Sequence, residues 1–162
     1  MDIKLGSHTH KSNKNTNPEF KERVLVLESH VYNQIQNLIA ESLKMEQVGL
    51  GFGSYNESVI KMNKFIPMEN LDKSETSFSL DYERMLKEIR IHEQNGLILL
   101  GFFHTHPKNA TSYPSKKDRY YMRYWPYPYI WMIASAAKTP LLRIFSFYRD
   151  KIIEIPYSVN KP

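Results

Sequence analysis

The sequence predicts one α/β domain, a sandwich in which a mixed sheet is flanked by helices. Three observations lead there. Apolar residues pass between strand-like runs and 3.6-residue spacing in the order strand, helix, two strands, helix, strand, short helix, three strands. Leu97 to Phe103 is a nearly continuous apolar run, which suits a central strand covered on both faces. The chain has 162 residues, 41% hydrophobic and 24% charged, enough for one real core but not for two domains of ordinary size.

Residues 1–20 are rich in Lys, Asn, Ser and Thr and hold few apolar groups to offset the entropy of ordering. They are predicted to be a mobile polar tail, with the domain spanning residues 21–160. Val24 to Leu27 reads as a short buried strand. Val31, Ile35, Leu38, Ile39 and Leu43 then fall at helical spacing, predicting an amphipathic helix that ends before Glu46. Val48 to Gly53 is glycine-dense and extended, as expected where another backbone or a ligand comes close. Val59 to Ile66 is its partner strand, with Pro67 as the stop. From Ser79 the pattern is helical again through Tyr82, Met85, Leu86 and Ile89, and Gly96 is the terminator. The run Leu97 to Phe103 delivers His104 at its end. A polar loop from Lys108 to Tyr113 leads to a helix over Lys116 to Tyr124. Strands over Tyr129 to Ala134, Leu141 to Tyr148 and Lys151 to Pro156 complete the chain.

The composition excludes several chemistries. With no cysteine, disulfides, a thiolate nucleophile and a Cys-ligated metal are ruled out, so any metal must sit on His and carboxylate. No stretch approaches the roughly 18 to 20 apolar residues of a membrane span, and the N-terminus lacks the apolar core of a signal peptide. A soluble, cytoplasmic protein is therefore expected, with no membrane partner. The formal net charge of +5 comes from cations scattered along the chain, which speaks against a nucleic-acid footprint.

The informative segment is His104-Thr105-His106-Pro107, seven residues, Ser115, two residues and Asp118. At a strand end, residues i and i+2 point the same way, so His104 and His106 can present their imidazoles to one point. Two imidazoles and a carboxylate are a usual ligand set for a catalytic zinc with one open position. A helix starting at Ser115 brings Asp118 back to that point, since residues three apart share a face. Zinc chemistry also needs a base to move protons, and none lies within the motif beyond the ligand Asp118. Glu46 is the best candidate upstream. His8-Thr9-His10 repeats the local pattern, but Lys11 comes next and no Asp lies at the matching distance, so it reads as solvated tail. His30 and His92 fall within helical patterns and are assigned no role.

This pattern resembles the JAMM (JAB/MPN) metalloprotease signature, a distant Glu followed by His-x-His-Pro-x7-Ser-x2-Asp. All its specified positions are filled at the family's spacing. Glu46-Gln47-Val48-Gly49-Leu50 also looks like the family's Glu-x-x-Gly-Leu segment at the end of the first helix, and Ser77-Phe78-Ser79-Leu80 like the lead-in to the second. The resemblance runs from about Val24 to Ile155. It implies the MPN/JAB (cytidine-deaminase-like) fold, one catalytic Zn2+ on His104, His106 and Asp118, Glu46 as general base, and Ser115 as a hydroxyl supporting the tetrahedral intermediate.

The implied activity is a peptidase or isopeptidase of the prokaryotic JAB type. It would cleave after the C-terminal tail of a ubiquitin-like protein, in deconjugation or precursor processing, or trim a sulfur-carrier protein. Some such enzymes stand beside conjugation enzymes in antiphage operons. Two other classes stay open: a non-catalytic MPN-type interaction module, and a nucleic-acid-associated relative, which the scattered charge disfavours. Tyr120 to Tyr129 is unusually aromatic. Core and helix-to-strand packing accounts for at least half of its rings, and a partner surface is an alternative for the rest.

Overall fold

The computed structural model describes residues 23–42, 45–107, 109–136 and 141–161. The predicted tail, with His8 and His10, lies outside the described residues, as do Leu43 and Lys108. The elements run β1 (Val24–Glu28), α1 (Ser29–Glu41), β2 (Val48–Tyr55), β3 (Val59–Met68), α2 (Tyr82–Gln94), β4 (Ile98–His106), α3 (Lys116–Met122), β5 (Ile130–Ser135), β6 (Leu142–Tyr148), β7 (Lys151–Glu154) and β8 (Tyr157–Asn160). Among the described residues they form one 8-stranded sheet in the order β7-β6-β5-β4-β2-β3-β1-β8. The sheet is mixed: β2 is antiparallel to β3 and β4, whereas β4 pairs parallel with β5 and β1 parallel with β3 and β8.

Alternation along the strands divides the core between the two faces of the sheet. On one, Val31, Ile35 and Ile39 of α1 pack with Leu25, Met62, Phe65 and Phe103. On the other, Met85 of α2 and Met122 of α3 pack with Leu50, Phe52, Phe102 and Ile133. The apolar run that predicted a central strand is β4, buried from Leu99 through His106 and flanked by β2 and β5. Because Phe102 belongs to the α2/α3 face, the residues two and four further on, His104 and His106, are directed to that face as well.

The glycines of the inner strands mark close backbone approaches. A Cβ on Gly101 would stand 1.8 Å from the carbonyl oxygen of Ile130, and one on Gly53 1.9 Å from that of Lys61. Backbone cannot swing aside as a side chain can. Gly101→Ala is therefore expected to destabilise the fold by about 3 kcal/mol or more. In a domain of this size that is a fall in melting temperature of roughly 6–12 °C, readable by thermal denaturation.

Four details differ from the sequence expectation. Pro67 does not stop its strand but lies within β3 opposite Gly49. β1 flanks β3 only from Val59 to Met62, so at Pro67 the strand has an open edge where a missing N–H removes no ladder bond. β8, a half-exposed strand added parallel to β1, is additional. α2 begins at Tyr82 rather than near Ser79, because Asp81 caps it by accepting from the Arg84 N–H at 3.0 Å; Gly96 lies just past its end at φ +78° as anticipated. Finally, α3 ends at Met122 rather than Tyr124, while α1 ends at Glu41, before Glu46 as anticipated, with Ser42 as its cap. Glu46 is thus not a helix-end carboxylate but lies in the extended segment entering β2.

Candidate metal centre

Three side chains converge at the C-terminal end of β4. His104 and His106 come from that strand, and Asp118 from the first turn of α3. The Nε2 atoms of the histidines lie 3.1 Å apart. Asp118 sets one carboxylate oxygen against each, Oδ1 at 3.0 Å from His104 and Oδ2 at 2.9 Å from His106. All three residues are buried, and a ligand atom from each falls within 4.8 Å of the others. A tetrahedral zinc with bonds of about 2.0–2.1 Å has ligand-to-ligand edges of roughly 3.3 Å, so this triangle is of the right size for such an ion.

The surrounding contacts orient the triangle. His106 Nδ1 is 2.6 Å from the Thr111 carbonyl. A carbonyl only accepts, so Nδ1 carries a proton and Nε2 is the ring nitrogen that faces the cluster. The His104 ring lies against Phe78, with centroids 4.7 Å apart. Its Nδ1 has no hydrogen-bond partner among the described residues, so packing on Phe78 and the Nε2 contact with Asp118 set that ring. Asp118 is held by a capping box: its backbone N–H donates to Ser115 Oγ at 3.1 Å, and its Oδ2 accepts the Ser115 N–H at 2.7 Å. Helix initiation and the placement of the Asp118 carboxylate are the same event here.

Burial and crowding set the electrostatics. Burial opposes charge on Asp118, but hydrogen bonds from His104, His106 and Ser115 outweigh it and hold its carboxyl well below the usual range. Burial lowers the pKa of His104, whereas at His106 the same penalty is overcome by Asp118 and the Thr111 carbonyl, which raise it. A tightly ionised carboxylate facing two imidazole Nε2 atoms attracts a cation, which would displace the imidazole protons that the carboxylate otherwise accepts.

Glu46 borders the same cleft. It is 5% exposed, and burial pushes its carboxyl up to about 7, with Asp118 adding to the rise and His106 and Lys117 opposing it. The cleft encloses about 220 Å³, with Phe78, Ser115 and Lys117 in its lining beside the triad. A second hollow of about 280 Å³ runs along the outer side of α2 and involves none of these groups.

The structure therefore brings together every residue singled out for chemistry. It also shows partners that sequence reasoning missed. Thr105, the unspecified residue between the histidines, accepts the Gln47 N–H at 2.8 Å through its hydroxyl, and its own N–H donates to the Gln47 carbonyl at 3.0 Å. The strand bearing His104 and His106 is thereby tied to the residue after Glu46. Its place inside the motif was the available signal. Asn70, buried beyond β3, bonds the Glu46 carbonyl, and nothing in its sequence neighbourhood marks it. His92 packs against Phe52 and His30 contacts the Asn63 carbonyl, both away from the cleft. In the aromatic stretch, Trp125 packs on Phe102, while Tyr120, Tyr121 and Tyr124 are exposed. Among the described residues no helix is long and apolar enough to cross a membrane.

Comparison with known proteins agrees with this geometry. A family model described as prokaryotic homologs of the JAB domain matches residues 28–148. A Pyrococcus furiosus protein named a desampylase is 33% identical over 117 residues, covering 72% of this chain and 78% of the relative. The solution structure of a Desulfitobacterium hafniense protein aligns with a TM-score of 0.73 at 25% identity, covering 86% of this chain and 94% of that one.

Proposed function

Since the chain belongs to the family of prokaryotic JAB-domain homologs, we propose that it is a zinc-dependent isopeptidase that cleaves after the C-terminal tail of a ubiquitin-like protein. One observation carries the reading: a buried His-His-Asp triangle and a buried carboxylate with a pKa near neutrality share one cleft. The similar protein from Pyrococcus furiosus, named for deconjugation, supports the substrate class.

His104, His106 and Asp118 would hold the ion, which supplies Lewis-acid polarisation of the scissile carbonyl and acidifies the attacking water. The remaining steps fall to the chain's own side chains. Glu46, with a pKa of about 7, is poised to take a proton from the attacking water and return it to the departing amine. Ser115 Oγ accepts the Asp118 N–H, and its hydroxyl hydrogen, which also bears on the Asp118 carboxylate, would turn to a substrate oxygen that gains charge as the carbonyl becomes tetrahedral. Phe78 packs on His104 and walls the cleft at this point. Trimming of a sulfur-carrier precursor uses the same chemistry and differs only in the group on the far side of the scissile bond. A non-catalytic module would have no use for a buried, destabilised Glu46.

The test is mass-spectrometric cleavage of a panel of ubiquitin-like and sulfur-carrier fusions extended past their terminal Gly-Gly, with zinc-loaded and chelator-treated protein. Cleavage at the tail that disappears with chelator is expected. Stoichiometric metal with every fusion intact would sink the isopeptidase reading.

A further inference from the structure

We propose that Asn70 is a positioning residue that fixes Glu46 and the cleft wall bearing Phe78 in one frame. The proposal rests on the isopeptidase reading for its consequence in hydrolysis, and on the hydrogen bonds for its geometry.

Asn70 is 4% exposed and uses its full bonding capacity. Its Nδ2 donates to the Glu46 carbonyl at 3.1 Å and to the Ser77 carbonyl at 2.9 Å. Its Oδ1 accepts the Asp72 N–H at 3.1 Å and the Ser79 N–H at 3.2 Å. The orientation of the amide is unambiguous, because turning it over would set like groups against each other at all four contacts. The bonds to Ser77 and Ser79 bracket Phe78, whose ring covers His104. The segment that Asn70 gathers in turn grips Glu46 from the other end, since the Glu46 N–H donates to the Ser74 carbonyl at 2.9 Å.

Two clamps thus meet at consecutive residues. Thr105, from the strand of the ligands, takes both backbone groups of Gln47, and the segment led by Asn70 takes both backbone groups of Glu46. The first fixes the register of this segment against the metal-binding strand. The second fixes the peptide from which the Glu46 side chain projects. Only a carboxamide offers two donors and two acceptors in one plane, so neither Asp nor a hydroxyl residue replaces it. Breaking the second clamp alone leaves the bonds of His106 and Asp118 untouched while freeing the base, which separates positioning from general support of the fold.

Asn70→Asp keeps the shape and both acceptor bonds but loses both donations, and Asn70→Ser serves if that variant fails to fold. Three readouts decide the matter: amide hydrogen exchange, zinc affinity, and hydrolysis of the fusion cleaved by the wild type. The Glu46 amide is expected to exchange about tenfold faster or more, with the Gln47 and Thr105 amides unchanged. Zinc affinity should stay within about threefold while kcat falls about a hundredfold, as for a group displaced by about an ångström, with little change in KM. Wild-type protection at Glu46 in the variants, or zinc affinity falling in step with kcat, overturns the proposal. If the wild type cleaves nothing, the isopeptidase reading fails, and the exchange and zinc measurements still decide whether Asn70 positions Glu46.

Discussion

Glu46→Gln is expected to lower kcat/KM for tail cleavage by about a hundred- to ten-thousandfold, the usual worth of a positioned general base, while zinc affinity changes little. Glutamine matches the protonated carboxyl in shape, so the cleft and triad should stay in place. The pH profile gives the sharper signature. The base must be ionised to act, and burial raises its pKa to about 7, so wild-type kcat/KM should climb through an acid limb at or somewhat below that value. A bound cation favours the carboxylate and moves the limb down rather than up. The limb should be missing from the residual activity of the variant.

The same shift has a consequence for stability, measurable without substrate or metal. A carboxyl whose folded pKa is above its unfolded one contributes stability below the unfolded value, about 4.5, and loses it as pH rises through the folded value. Metal-free Glu46→Gln should therefore melt higher than the metal-free wild type at pH 8, by roughly 2–4 °C for each kcal/mol relieved, and the two should converge near pH 4. A variant that retains more than a tenth of wild-type hydrolysis would remove Glu46 from the mechanism.

The site was more legible in the sequence than the fold around it, and the reason is local geometry. His104 and His106 are two residues apart on a strand, and Ser115 and Asp118 three apart at a helix start, so their relative placement comes from backbone periodicity alone. Glu46 is different. It reaches the cleft because β2 lies beside β4 in the sheet, with Val48 opposite His104, a pairing that no local pattern encodes. Asn70 and Thr105 act through bonds spanning 24 and 58 residues, which periodicity cannot reveal. The place of Pro67 and the existence of β8 are hidden for a related cause: each depends on which neighbour a strand has at that point. The end of α3 differs because a helical pattern records which face is buried, not where the last carbonyl finds a cap.

Asp118→Asn is expected to abolish the response to metal. In the wild type, zinc at about a thousandfold excess over its dissociation constant should add about 4 kcal/mol, a rise in melting temperature of roughly 8–16 °C. The Asp118 carboxylate faces both imidazoles at 2.9 and 3.0 Å and is the anionic member of the cluster, so its neutral amide should leave a rise below about 2 °C. Asp118 also closes the capping box of α3, and a damaged helix could by itself blunt the response. Ser115→Ala separates the two causes. It removes the Ser115 Oγ half of the box at a cost of about 1 kcal/mol but keeps the carboxylate and both imidazoles, so it should melt lower than wild type without metal and still gain most of the increment with zinc. Metal-free protein offers a second check. Hydrogen bonding holds the Asp118 pKa below its ordinary value of 3.8, so its contribution is present above that value and lost as pH falls beneath it. The wild type should then lose melting temperature more steeply than Asp118→Asn on acidification below about pH 4. An undiminished zinc response in Asp118→Asn would place the ion elsewhere and leave the triad with a structural role alone.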